Sequence, residues 1–266
     1  MVRPNEVRKT IIEMLYRARA SHLGPCLSVV EMLAAVYDAV DLAAIRDRRP
    51  DRDRVIVSKG HCAAAVYATL MHHGLLDSAL AETYCRDGSL LAGHVSHAVA
   101  CVEHSTGALG HGLPVAAGCA LGLRARGFDW SNVYCILGDG ELQEGSVWEA
   151  LMLAAHNRLT NLVVLVDNNR ISSIRRTAEV IDLSPLEERF AAFGYRPLTV
   201  DGHDLPAVRK AIGASRRREW MSALICNTVK GRGVPFAEDD PIWHYRTLSQ
   251  EQYRRALDAL EETVAA

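Results

Sequence analysis

The run VYCILGDGELQEGSVWEALMLAAHNRLTNLVVLVDNNRI, residues 133–171, decides the fold. Val133 to Leu137 is a continuous apolar stretch of strand length, Gly145 to His156 has the length and small-residue content of a helix, and Leu162 to Val166 is a second apolar stretch. Strand, helix and strand in this order form a βαβ unit. Strands without polar alternation suit a parallel sheet covered on both faces. The fold class expected is therefore α/β: a three-layer, doubly wound domain with a mostly parallel sheet.

Each apolar stretch ends in a polar cluster, Gly138-Asp139-Gly140 after the first and Asp167-Asn168-Asn169 after the second, with Asn169 lying 30 positions beyond Asp139. In doubly wound sheets the carboxyl ends of strands are where ligands bind. Glycines at 138 and 140 let the backbone turn sharply and come close to a ligand. Asp139 and Asn169 supply oxygen donors for a hard divalent cation, magnesium or in its place calcium or manganese. Two side chains, the backbone carbonyl of Ile171 and diphosphate oxygens would complete an octahedron. Either cluster alone reads as an ordinary turn; the pair across one βαβ unit is far more specific.

Working outward, Asn5 is placed to cap a first helix, and Ser28 with Glu31 has the spacing of a capping box opening a helix over about 29–40. Ser21-His22-Leu23-Gly24-Pro25 between them reads as a loop. Residues 46–54 read as a charged surface connection, Val55 to Val57 as a short strand, and residues 63–73 as a helix. Residues 86–110 are rich in Gly, Ser and His and show little periodicity, which marks a long functional loop. A tightly packed helix follows over about 112–126. Then come a strand over 197–200, a helix capped by Asp204, a strand over 223–228 and a final helix over 249–260. No linker divides the chain, so residues 1–266 are expected to form a single domain.

The 266 residues carry a formal net charge of −2, which gives no electrostatic reason to expect nucleic acid or an anionic membrane as partner. Arg216-Arg217-Arg218 reads as a solvated helix end. Seven scattered cysteines without a Cys-x-x-Cys spacing argue for reduced thiols. The amphipathic pattern at Val7, Ile11, Ile12 and Leu15 is a helix and not a signal peptide. No apolar run of about 18 residues is present to span a bilayer. A cytoplasmic protein is expected.

The stretch from Gly138 to Ile171 resembles the thiamine diphosphate motif of transketolases, in which the aspartate and the last asparagine hold the metal and the glycines accommodate the diphosphate. Ser21-His22-Leu23-Gly24, Ser58-Lys59-Gly60-His61, Gly93-His94, residues 105–110, Asp201-Gly202-His203-Asp204, and residues 230–234 through Trp243-His244 follow in the family's order. The resemblance covers nearly the whole chain and implies the diphosphate-binding domain of the thiamine diphosphate fold. It implies that Gly107 and Leu109 touch the cofactor's rings and that His61 and His244 lie at the diphosphate and reacting centre. Gly138, Gly140, Glu141 and Lys230 complete the cofactor site, and His22 and His94 line the substrate channel. Glu144 resembles the acid that couples two active sites across a dimer.

The implied activity is transfer of a two-carbon ketol unit between sugars or sugar phosphates, with thiamine diphosphate and magnesium. It further implies a separate C-terminal subunit carrying the pyrimidine-binding domain, which residues 1–266 lack, in a dimer of heterodimers. Imidazoles suit such chemistry because protons must move on and off hydroxyls near neutral pH. His72, His73, His97, His104, His156 and His203 are read as structural, and His111 stands where many transketolases have glutamine, a swap a channel wall accommodates. Ser21, Pro25 and Tyr245 depart from the family pattern; a phenol beside His244 would narrow the channel. Two other readings stay open: another thiamine-diphosphate carboligation, such as a deoxyxylulose-phosphate-synthase-like reaction or a two-carbon transfer in specialised metabolism, and a non-catalytic cofactor-binding scaffold.

Overall fold

The computed structural model describes residues 2–265. Five strands, β1 (Arg54–Val57), β2 (Val133–Gly138), β3 (Leu162–Asn168), β4 (Arg196–Asp201) and β5 (Ser222–Asn227), form one sheet in the order β1-β2-β3-β5-β4. Every pairing is parallel, so the expected mostly parallel sheet is wholly so. The apolar strands explain the layering. Along β2, Tyr134 and Ile136 pack into one buried cluster while Val133, Cys135 and Leu137 pack into another on the opposite face. Helices Pro4–Ala18, Val30–Ala39, Ala63–His72 and Leu205–Ser215 cover the first face. Helices Gly145–His156, Gly112–Ala125 and Leu186–Ala192 cover the second. Each fully buried Val, Leu or Ile side chain contributes roughly 1.5–3 kcal/mol to holding these layers together.

Several local expectations fail for physical reasons. Ser21 to Pro25 is not all loop, because a short helix runs Leu23–Ser28, and Pro25 fits its first turn, where no intrahelical N–H is needed. The next helix begins at Val30, one residue later than expected, with no side-chain cap, so Ser28 and Glu31 form no capping box. Ser28 Oγ instead donates to Asp167 at 2.6 Å, and Glu31 accepts from Arg8 at 2.7 Å. Asn5 lies inside the first helix, which starts at Pro4 after Arg3, and its Oδ1 accepts from Arg8. Arg216 and Arg217 are exposed where the helix Leu205–Ser215 ends, as expected, but two of the three arginines also bind across the fold: Arg216 donates to the Ala39 carbonyl and the Tyr134 hydroxyl, and Arg218 to Ser131 and Asn132.

The 86–110 stretch is irregular, as expected, and is tied to the sheet by specific bonds. Thr106 Oγ1 donates to the Val57 carbonyl at 2.6 Å, and the Val95 amide donates to Gly60 at 3.0 Å. Gly60 has no room for a side chain, since a Cβ there would press into the Thr106 backbone. Among the described residues no helix is long and apolar enough to cross a membrane.

The Arg8–Glu31 pair is buried on both sides, at 3% and 5% exposure, so cutting it should be costly. Arg8→Met should lower stability by about 3 kcal/mol in urea unfolding, because Glu31 stays buried without its cation. Arg8→Met combined with Glu31→Leu should recover most of that loss.

Candidate active site

The site is built where β1, β2, β3 and β5 end. Lys59, two residues past β1, is 1% exposed and pairs with Asp167 of β3, which is wholly buried. The same carboxylate accepts from Ser28 Oγ, from Thr228 Oγ1 just beyond β5, and from Asn169 Nδ2 at 3.3 Å. Lys59 also donates to the Pro25 carbonyl at 3.3 Å. Burial works against both charges, yet mutual attraction wins: Lys59 is held above the ordinary lysine range and Asp167 below the ordinary carboxylate range. A second hub is Glu141, whose carboxylate accepts from Ser58 Oγ, from the Gly110 amide at 2.9 Å and from the Gly138 amide at 3.2 Å. It joins the 86–110 loop to the turn after β2. Burial pushes the Glu141 carboxyl up.

Above these hubs lies a cavity of about 600 Å³, and every site residue expected from the sequence lines it. Gly138, Asp139 and Gly140 come from the end of β2, and Asn169 and Ile171 from the end of β3. Asp139 Oδ2 accepts from the Arg170 amide at 2.5 Å and Oδ1 from the Gly140 amide at 2.8 Å. Burial, followed by the neighbouring Asp167 charge, raises its carboxyl to about 7. A buried carboxylate held by backbone amides, beside the Asn169 amide oxygen and the Ile171 carbonyl, fits a cation whose remaining ligands come from a bound anion. Among the described residues no cluster of three or more His, Cys, Asp or Glu offers another metal site. Lys230 Nζ donates to the Ile171 carbonyl at 3.2 Å and the Ser172 carbonyl at 2.6 Å, which leaves the Ile171 oxygen a second lone pair.

Four imidazoles also line the cavity. His22 lies 5.7 Å from His61, 5.5 Å from His94 and 5.1 Å from His244 between ring centroids, and His61 lies 5.2 Å from His244. His22 has a left-handed backbone, φ 74°, unusual for a residue with a side chain, and its amide donates to the His244 carbonyl at 3.0 Å. That bond fixes the two loops against each other. Burial, with the surrounding cations and imidazoles added, lowers His22 to about 4 and His244 to about 3, and His61 falls well below its usual value. Lys230, 3.2 Å from His244 Nδ1, is lowered to about 8 by burial and then by the Lys59 charge.

Gly107 backs onto His94, where a Cβ would come within 3.4 Å of the ring, and Leu109 completes that side. Glu144 is exposed at the rim. Tyr245 stands at the mouth, 59% exposed, its ring 4.9 Å from that of His244. His111 is exposed and is not among the residues that line the cavity. The sequence reading misses Asp167, Lys59, Ser28 and Thr228 as a unit. A signal is there, because an ionisable residue closing an apolar strand must find a partner.

Over residues 3–260 the chain matches the family described as transketolase, thiamine diphosphate binding domain. It is 35% identical over 261 residues to one of the subunits of the apulose-4-phosphate transketolase of Phocaeicola vulgatus, covering 97% of this chain and 92% of that one. It is 33% identical to the 6-deoxy-6-sulfo-D-fructose transketolase subunit SqwG of a Clostridium species, covering 97% and 94%. Human transketolase is 33% identical over 259 residues, but this chain spans only 41% of its length. Among solved structures, a transketolase from Campylobacter jejuni superimposes with a TM-score of 0.88 at 26% identity, over 97% of this chain and 42% of that one.

The lowered imidazoles set a pH dependence. Below about 6.5 an unfolded histidine takes a proton that folded His244 refuses, so His244 draws stability down as pH falls from 6.5 towards 3. His244→Asn should therefore gain about 2 kcal/mol relative to the wild type between pH 7 and pH 5, measured by urea unfolding at each pH. A constant difference between the two proteins would mean that His244 titrates normally.

Proposed function

The chain belongs to the transketolase thiamine-diphosphate-binding family, and from that premise we propose that it is the diphosphate-binding subunit of a two-component transketolase. It transfers a two-carbon ketol unit from a ketose to an aldose, and residues 1–266 act as one diphosphate-binding domain. The observation that carries this is the single cavity that Asp139, Asn169 and Ile171 line together with four clustered imidazoles. Magnesium is held by those three oxygens. Lys230 offsets diphosphate charge, Gly138 and Gly140 give the diphosphate backbone-close access, and Gly107 and Leu109 flank the cofactor's rings. Thiamine diphosphate, when bound, supplies the electron sink that ketol transfer needs.

The protein's part is orientation and protons. His61 and His244, neutral at physiological pH, can accept a proton or donate a hydrogen bond at the reacting centre. His22 and His94 face the substrate hydroxyls, where charge develops and must be met by a donor. Tyr245 narrows the entrance and selects among sugars and sugar phosphates.

The subunit names of relatives that this chain covers over 92% and 94% of their length support a separate partner carrying the pyrimidine-binding domain. The assembly we favour is a dimer of heterodimers with Glu144 linking its sites. Seven unpaired cysteines favour the cytoplasm.

The metal assignment predicts that Asp139→Ala and Asn169→Ala, in the assembled enzyme, lose magnesium-dependent thiamine diphosphate binding in calorimetric titration while keeping the wild-type circular dichroism spectrum. Unchanged affinity would place the metal elsewhere. The two-component reading predicts no ketol transfer by the purified chain and transfer once a pyrimidine-domain partner is added. Robust transfer by the chain alone would overturn it.

A further inference from the structure

His203 stands outside the cavity, in the loop between β4 and the helix Leu205–Ser215. Its two ring nitrogens have opposite duties. The Val229 amide donates to Nε2 at 2.8 Å, so Nε2 must carry the lone pair, and the proton must sit on Nδ1, which faces Glu31 Oε2 at 3.2 Å. Glu31 is in turn held by Arg8. The residue after Val229 is Lys230, whose ammonium reaches the Ile171 and Ser172 carbonyls and His244. The loop also grips this segment one step earlier. The Gly202 amide donates to the Asn227 carbonyl at 2.7 Å, and a Cβ on Gly202 would collide with the Thr228 side chain.

We propose that His203 is a positioning residue: locked as the Nδ1–H tautomer by Glu31, it fixes the Val229 amide and thereby sets the Lys230 ammonium over the cofactor cavity. Its effect on the cofactor rests on the functional reading above; its effect on the backbone does not. Losing the imidazole leaves the Arg8–Glu31 pair in place, so the fold survives while the Val229 amide, next to Lys230, loses its acceptor. Glutamine can place an amide oxygen near the Nε2 position and a donor towards Glu31; alanine can do neither.

The experiment has two arms on His203→Ala and His203→Gln. In the first, on the full chain, ¹⁵N NMR should show wild-type His203 as the Nδ1–H tautomer. Amide hydrogen exchange at Val229 should rise about tenfold or more in the alanine variant, return towards wild type with glutamine, and stay unchanged at Leu224 in β5. An Nε2–H tautomer, unchanged exchange at Val229, or equal acceleration at Leu224 would overturn the positioning role. In the second, on the assembled enzyme with magnesium, His203→Ala should raise the Kd for thiamine diphosphate about tenfold with kcat at saturation little changed, and His203→Gln should restore affinity. Faster Val229 exchange with unchanged affinity would refute the link to the cavity. Absence of binding in the wild type itself would instead refute the functional reading.

Discussion

Everything at the carboxyl end of the sheet hangs on one buried ion pair. Lys59 and Asp167 are drawn from water together, and removing two charges from water costs more than their attraction alone repays unless other donors and acceptors complete the shell. The chain completes it from every side: Ser28 from a helix, Thr228 from the segment after β5, Asn169 from the end of β3, and the Pro25 carbonyl. Because the spokes come from the helix Leu23–Ser28, the end of β3 and the segment after β5, satisfying this pair brings together the segments that carry His22, His61, Asn169 and Lys230. The geometry of the cavity is a by-product of electrostatic necessity beneath it.

The same low-dielectric setting divides the titratable groups above the pair. His22 and His244 lose affinity for protons first through burial and then through their charged and imidazole neighbours, and Asp139 keeps its proton to higher pH because it is buried and Asp167 already carries the local negative charge. The cavity therefore presents the neutral rings of His22, His61 and His244, the Lys59 and Lys230 side chains, and the Asp139 carboxyl suited to a cation. An anionic ligand arriving with a divalent metal meets complementary groups at both ends.

Much of this is legible in the sequence, and the reason is periodicity. Apolar runs in β2 and β3 declare a sheet buried on both faces, and the polar clusters that end them fall at the one edge where a doubly wound fold can bind ligand. The helix Gly145–His156 and the Asp204 cap are readable because each depends on neighbours in sequence. Local reading fails where long-range partners outcompete local ones. Ser28 and Glu31 have the spacing of a capping box, but a fully buried carboxylate and a buried arginine, distant in sequence, claim them instead. His203 reads as structural because the amide that it holds lies 26 positions away.

The strand order carries a consequence for how the molecule comes into being. β4 sits at the edge and pairs with β5 alone among the described strands, yet it precedes β5 in the chain. During synthesis the first three strands can associate as they emerge, while β4 must wait for a neighbour not yet made. Thr228, Lys230 and His244 all follow β5, so the polypeptide made after the sheet is complete is also the polypeptide that closes the cavity.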